Sequence, residues 1–162
     1  MDALAERSGL GKGTVFRRFG SRAGIFRALL DDAERSFQEL VLTGPPPLGP
    51  GAPPLDRLVA YGRARIGFLI EHRDIARATL DGSEPIPAGS RTPMSQLHIR
   101  VLLGQMDIGP ADLDMLAVQL SAALDGPLLL YLSADDLAEP APRTAERIAR
   151  AWHDLIRRAC RP

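Results

Sequence analysis

Six basic residues cluster near the N-terminus and could bind phosphate groups. The stretch from Arg7 to Leu30 contains no aspartate or glutamate. Arginine and lysine pair with phosphates, and arginine can also make two hydrogen bonds to the edge of a base. The cluster indicates a phosphate-binding surface, although charge alone fits an ordinary solvated basic face equally well. Its members are Arg7, Lys12, Arg17, Arg18, Arg22 and Arg27.

The rest of the chain balances this charge, so a uniformly basic nucleic-acid binder is excluded. The 162 residues include 20 Lys or Arg and 20 Asp or Glu. Hydrophobic residues make up 45% and aromatic residues 5%, which favours a helical core of Leu, Ala, Ile and Val. The chain has a single cysteine and neither a signal-peptide pattern nor a long apolar run. We therefore expect a cytoplasmic protein with no membrane span.

Helical periodicity dominates the chain, and no segment alternates as a strand would. A long helix is expected from Ser21, whose side chain can cap its N-terminus. Residues 44–54 are rich in proline and glycine, which ends that helix. Further helices are expected at 55–71, 94–105, 111–132 and 143–160, with a kink or a short break at Gly126-Pro127. The predicted class is all-α, with a DNA-binding domain at 1–43, a linker at 44–54 and a helical effector-binding and dimerisation domain at 55–162.

The first 22 residues fit a helix-turn-helix. Ala5 is small enough for a second helix to pack closely on the first, and Gly9 can adopt the positive φ of a tight turn. Leu10, Val15 and Phe19 would close a small core. The opposite face of the second helix would then display Lys12, Phe16, Arg17 and Arg18.

This segment resembles the TetR family of bacterial transcriptional regulators. The resemblance lies in residues 4–30, LAERSGLGKGTVFRRFGSRAGIFRALL. The family has an A-x-x-x-G turn, then a recognition helix reading small-Thr-aliphatic-Tyr-x-His-Phe, then Ser/Asn-Lys at the head of a connecting helix. In this chain Phe16 replaces the tyrosine and loses its hydroxyl. Arg18 and Arg22 replace the histidine and the lysine and supply positive charge.

The resemblance implies that the second helix enters the major groove of double-stranded DNA. Lys12, Thr14 and Arg17 would face base edges, and Phe16 would touch a thymine methyl. Arg18 and Arg22 would pair with phosphates beside the N-terminus of the long helix. The expected contact residues are Lys12, Gly13, Thr14, Phe16, Arg17, Arg18 and Arg22.

The family has a further helix ahead of this motif. The present sequence starts at what corresponds to the second helix. The resemblance therefore implies an incomplete three-helix DNA-binding domain, joined by the long helix to the helical body. A dimerising helical module without DNA binding is the alternative that this raises.

The last two helices carry strong apolar stripes. Two such helices from each of two subunits could form a four-helix bundle, which is where the family dimerises. A two-fold dimer would match a palindromic operator. Periodicity fits equally well with both stripes facing the core of a single chain. The expected interface residues are Leu113, Leu116, Leu120, Ile148, Trp152 and Leu155.

A mixed polar and apolar stripe predicts a cavity for a small-molecule effector. The stripe lies on the helix expected at 55–71. Residues at a matching spacing lie on the helix expected at 94–105. The alternative for each histidine is a core or solvent-facing residue with one hydrogen bond. The expected lining is Tyr61, Arg65, Phe68, His72, His98 and Leu102.

These features predict a ligand-responsive regulator that binds a palindromic operator as a homodimer, most simply a repressor. No zinc-protease, Walker or serine-hydrolase motif and no cluster of Cys and His with metal-ligand spacing is present. We therefore expect no catalytic residue, metal or cofactor. A small helical enzyme without a short motif is the remaining alternative.

Overall fold

The computed structural model describes residues 12–75, 93–133 and 141–160. Within these ranges the chain forms α-helices and no strands, which confirms the expected all-α fold. None of the described helices is long and apolar enough to cross a membrane. The helices are α1 (Lys12–Phe19), α2 (Arg22–Thr43), α3 (Pro54–Glu71), α4 (Pro93–Leu103), α5 (Leu113–Ser133) and α6 (Ala141–Ala159).

A tight turn joins α1 to α2. Gly20 adopts φ +69°, a conformation that glycine reaches without steric cost. The Ser21 hydroxyl accepts a hydrogen bond from the Gly24 backbone N–H at 3.0 Å, which confirms Ser21 as the N-cap of α2. A Cβ atom at Gly24 would collide with the Phe19 carbonyl oxygen. The end of α1 therefore lies directly against the first turn of α2.

The proline-rich segment is a folded turn. The Gly44 N–H donates to the Leu40 carbonyl at 2.9 Å, and the Gly49 N–H donates to the Pro45 carbonyl at 2.9 Å. Leu48 packs against the hydrophobic core. Hydrogen bonds and burial therefore hold the path from α2 to α3 in one conformation.

The C-terminal half of α2 packs in the same core as the later helices. Phe37 and Val41 are buried there. Leu29 and Leu40 on the same helix are exposed. The domain limits at 1–43, 44–54 and 55–162 stay predictions, while the packing joins this half of α2 to the body.

Helix α3 is the centre of the body. It packs most extensively against α6 and also contacts α4 and α5. Leu58 and Ile66 on α3 are completely buried. Their counterparts on the surrounding helices are Ile99, Leu102, Leu103, Leu124 and Ile156.

Trp152 attaches α6 to α3. Its indole Nε1–H donates to the Leu58 carbonyl at 3.1 Å, and its ring lies against Gly62 so closely that a Cβ there would collide with it. The side chain is 3% exposed. Trp152 is therefore a core residue of one chain, and its assignment to a dimer interface is corrected.

The other expected interface residues also face inward, with one exception. Leu120 is buried, so it too is corrected to a core residue. Leu113, Leu116 and Ile148 are partly buried against the core. Leu155 is 40% exposed and stays available on the surface. The stripes thus serve the core of the single chain, which is the alternative that periodicity left open.

Replacing Trp152 should lower the stability of the single chain and not only weaken a dimer. We expect Trp152→Ala to lower the free energy of unfolding by about 3–5 kcal/mol, because it opens a cavity and removes a buried hydrogen bond. Urea denaturation followed by circular dichroism measures this. Arg150→Ala, at an exposed site on the same helix, should change stability by no more than about 0.5 kcal/mol. Equal effects of the two substitutions would contradict the assignment.

Candidate functional site

Helix α1 presents polar and basic groups to solvent. Gly13, Thr14 and Arg17 are exposed, and the helix contains no acidic residue. Thr14 and Arg17 are three residues apart, so they lie on one face of the helix. The side chains of the other expected contacts, Lys12, Phe16, Arg18 and Arg22, lie outside the described part of the structure.

An eight-residue helix is too short to be stable alone and needs tertiary support. Contacts between α1 and α2 supply it, with Phe19 half-buried beside the turn. The arrangement holds the exposed face of α1 in a fixed relation to the capped N-terminus of α2. Such a face can reach base edges while a helix N-terminus receives a phosphate.

A buried ion pair joins α2 to the body. The Arg65 guanidinium Nη1 lies 2.6 Å from the Glu34 carboxylate Oε2. The side chains are 2% and 15% exposed. The guanidinium carbon also lies 5.5 Å from the Phe37 ring centroid and 5.1 Å from that of Phe68. The pair and the two cation–π contacts place a full positive charge between α2 and α3 without exposing it to water.

A cavity lies on one side of this ion pair. It is small, with a volume of about 20 Å³, which is room for about one water molecule. Helices α2, α3 and α4 all contribute to its wall. The lining residues are Glu34, Phe37, Gln38, Val41, Leu42, Tyr61, Met94, Ser95 and His98.

An open groove lies on the other side of Phe37, between α2 and the end of α3. Its volume is about 700 Å³ including open solvent. Phe68 and His72 line it, and the His72 Nδ1 lies 2.8 Å from the Phe68 carbonyl oxygen. The His72 ring therefore has a backbone partner within its own helix turn.

The structure divides the six expected ligand-binding residues among four environments. Tyr61 and His98 line the cavity, whereas Phe68 and His72 line the groove. Arg65 is held by Glu34 beneath Phe37 and Phe68. Leu102 is completely buried in the core, so its assignment to a pocket is corrected.

Polar groups meet at one end of the cavity. The Tyr61 hydroxyl donates to the Ser95 hydroxyl at 2.6 Å, and the rings of Tyr61 and His98 lie 5.0 Å apart. The His98 Nε2 atom is buried and has no hydrogen-bond partner among the described residues. Burial, together with the nearby Arg57 charge, lowers the pKa of His98 to about 4. The imidazole is therefore uncharged at neutral pH.

The N-terminal segment matches a known family. Residues 1–29 match the model described as bacterial regulatory proteins, tetR family. This N-terminal segment is therefore similar to that of the tetR family of regulatory proteins. The match confirms the resemblance seen in the sequence, and it ends within α2. A comparison of the chain with curated proteins finds no match.

The TetR-type segment and the cavity share one helix. Residues 22–29 of α2 belong to the matched segment, and Glu34, Phe37 and Gln38 on the same helix line the cavity. Sequence reasoning placed the cavity on α3 and α4 and missed this α2 wall. A carboxylate one turn before Phe37, on a helix with an apolar stripe, was the available signal.

Burial of the uncharged His98 ring makes stability depend on pH. In the unfolded chain His98 titrates near 6.5, but in the folded protein its pKa is about 4. The unfolded state therefore binds the extra proton between these values. The stability contributed by His98 is complete above pH 6.5 and is lost as pH falls toward 4.

His98→Phe should remove this part of the pH dependence. We expect the free energy of unfolding of the parent protein to fall more steeply between pH 6.5 and 4.5 than that of the variant. The difference is at most about 1.4 kcal/mol per pH unit, the limit for one proton. Urea denaturation at a series of pH values measures both. Identical slopes for His98→Phe and the parent protein would contradict the interpretation.

Proposed function

We propose that this protein is a ligand-responsive transcriptional repressor that binds a palindromic DNA operator as a homodimer. The observation that carries the proposal is that Thr14 and Arg17 are exposed on one face of α1, within a segment that matches the TetR family. The matched family consists of regulatory proteins, and regulation by DNA binding requires no catalytic group. We therefore propose that the polar side chains of the cavity bind a ligand and do not catalyse a reaction.

In this proposal α1 lies in the major groove. Arg17 has the length and the planar donor pair to make two hydrogen bonds to a guanine edge. Thr14, one turn earlier on the same face, contacts the neighbouring base. Arg18 and Arg22 bind phosphates, which orients the helix without reading sequence. The remaining proposed contacts are Lys12, Gly13 and Phe16.

The dimer interface in this proposal lies on the outer face of α5. This helix is apolar on both sides, since Leu120 and Leu124 are buried while Met115 is 52% and Val118 43% exposed. A helix that is apolar all round is normally covered on all sides. A second copy of the chain would cover these two side chains, with exposed Leu155 on α6 as an additional contact.

The effector acts through α2. Ligand in the cavity would contact Phe37, Gln38 and Val41 on this helix, and the other end of the helix carries the TetR-type segment. A ligand that fits one position of α2 better than another shifts the population between them. In a dimer this changes the distance between the two copies of α1, and therefore the fit to two half-sites.

Substitution of the recognition helix tests DNA binding. We expect Arg17→Ala combined with Arg18→Ala to abolish preferential binding to the operator, because base and phosphate contacts are both lost. Fluorescence anisotropy with a duplex from the DNA flanking the gene, beside a scrambled duplex and across a salt series, measures this. Arg157→Ala combined with Arg158→Ala removes two exposed arginines from α6 as the matched control.

The control variant should bind the flanking duplex like the parent protein. Unchanged affinity of the Arg17, Arg18 variant would refute the assignment of α1 as the recognition helix. If the parent protein does not distinguish the flanking duplex from the scrambled one, the dimerising module without DNA binding becomes the better description.

Charge introduced on the outer face of α5 tests the dimer. We expect Met115→Glu combined with Val118→Glu to convert a dimer into monomers, because four carboxylates would face one another across a two-fold axis. Sedimentation velocity measures the mass of the particle. Leu29→Glu, at a leucine of similar exposure on α2, should stay dimeric. A monomeric parent protein, or a dimer that survives the double substitution, would contradict this interface.

A further inference from the structure

We propose that the groove between α2 and α3 binds an organic ammonium ion with an elongated apolar body. This site goes beyond the proposed function, because it lies on the other side of Phe37 from the cavity and its occupation requires no DNA. The shape of the groove limits the body of the ligand, and the charge at one end limits its head group.

The groove is open because small side chains line the facing surfaces of the two helices. Its wall recurs every three or four residues on α2 and on α3, so one face of each helix borders it. The space that a ligand could fill measures about 370 Å³, within the roughly 300–1,000 Å³ of small-molecule sites. The lining residues are Ala33, Ser36, Phe37, Leu40, Ala64, Phe68, Glu71 and His72.

The groove has an apolar end and a polar end. Helices α2 and α3 are joined by the short proline-rich turn and face each other, so they run antiparallel. Leu40 and Ala64 therefore lie at one end and Glu71 at the other, with the Phe37 and Phe68 rings between them, 5.1 Å apart. The seven residues from Ala64 to Glu71 rise about 10 Å along α3. A ligand that spans the groove is therefore about 10 Å long and apolar over most of its length.

The polar end is negative. Glu71 is exposed, and its carboxylate has no ion-pair or hydrogen-bond partner within the described ranges. Glu71 is also the last residue of α3, whose final carbonyl groups carry partial negative charge, and the last turn contains no basic residue. The Phe68 ring beside it adds an aromatic face, which attracts cations. An ammonium group is therefore favoured at this end, whereas a carboxylate would be repelled.

Two arginines near this end of α3 already have acidic partners. The Arg65 guanidinium is bound to Glu34 at 2.6 Å. The Arg73 side chain lies 3.5 Å from the Asp74 carboxylate. Their charges are compensated by these partners, so the Glu71 carboxylate is left to attract a positively charged ligand.

Three compounds with the same body and different head groups test this class on the full chain. They are phenylbutylammonium, phenylbutanol and phenylbutanoate, each with its head group at the end of the chain. Binding is followed by the ring carbon and proton signals of His72 in NMR spectra at neutral pH, without DNA. We expect the ammonium compound to shift these signals and to bind about five- to tenfold more tightly than the alcohol, because its contacts with an exposed carboxylate and an aromatic face are each modest. The carboxylate compound should bind more weakly than the alcohol.

Substitutions in the groove assign the preference to its source. Glu71→Gln removes the charge and keeps the shape, so it should bind the ammonium compound and the alcohol equally tightly, as measured by saturation transfer to the compounds. Glu39→Gln, the matched control at an exposed glutamate of α2 outside the groove lining, should keep the preference of the parent protein. Ala64→Leu places a larger side chain in the groove and should weaken the binding of all three compounds.

Three results would overturn the proposal. They are binding of the alcohol or the carboxylate compound as tight as that of the ammonium compound, a preference for the ammonium compound that persists in Glu71→Gln, and no binding of any compound. Each is measured without DNA. A failure of this proposal is therefore distinct from a failure of operator binding, which the anisotropy experiment measures.

Discussion

The buried Arg65–Glu34 ion pair is the interaction that fixes the position of α2 relative to α3, and the rest of the structure depends on it. Burial of a full charge is unfavourable unless a partner and good geometry compensate for it. Here the partner comes from α2 and the surrounding rings come from both helices. Separation of α2 from α3 would take the Glu34 carboxylate away from a guanidinium that lies between two aromatic rings. The position of α2, and with it that of the TetR-type segment, is therefore tied to the body by electrostatics as well as by packing.

Packing around α3 holds α4 and α6 in place beside it. Gly62 admits the Trp152 indole to the α3 backbone on one side, and Tyr61 approaches the α4 residues Ser95 and His98 on another. The same helix thus anchors α6 rigidly and contributes to a cavity wall. The core around α3 is therefore closely packed, with a small space left beside Tyr61, Ser95 and His98.

The sequence predicts the elements well because local rules determine them. The Ser21 cap, the end of α2 at the proline-rich segment and the all-helical class all follow from side-chain chemistry near in sequence. Of the kink or short break expected at Gly126-Pro127, the break is wrong, since α5 continues as a helix to Ser133, and the kink stays a prediction. Proline removes one hydrogen bond, and the bonds of the neighbouring turns suffice to continue the helix.

The sequence predicts the partners of these side chains less well. A stripe such as that of α6 shows which side chains avoid water, but the same pattern results whether another helix or another subunit covers them. Trp152 was ambiguous for this reason, and Gly62, its partner, lies 90 positions away in the chain. The pairing of Glu34 with Arg65 is equally non-local, which is why the α2 wall of the cavity was missed.

The folded proline-rich turn holds one end of α2, so a small tilt of this helix would move its other end much farther. Hydrogen bonds and Leu48 hold the C-terminal end of the helix, so in the proposed response to a ligand the helix would tilt about that end. The helix has 22 residues, about 33 Å at 1.5 Å per residue. A tilt of roughly 5° would displace its far end by about 3 Å, nearly a base-pair step, although the residues beside the pivot would hardly move. A displacement of less than an ångström near Phe37 and Val41 can therefore correspond to a shift of nearly one base-pair step at α1.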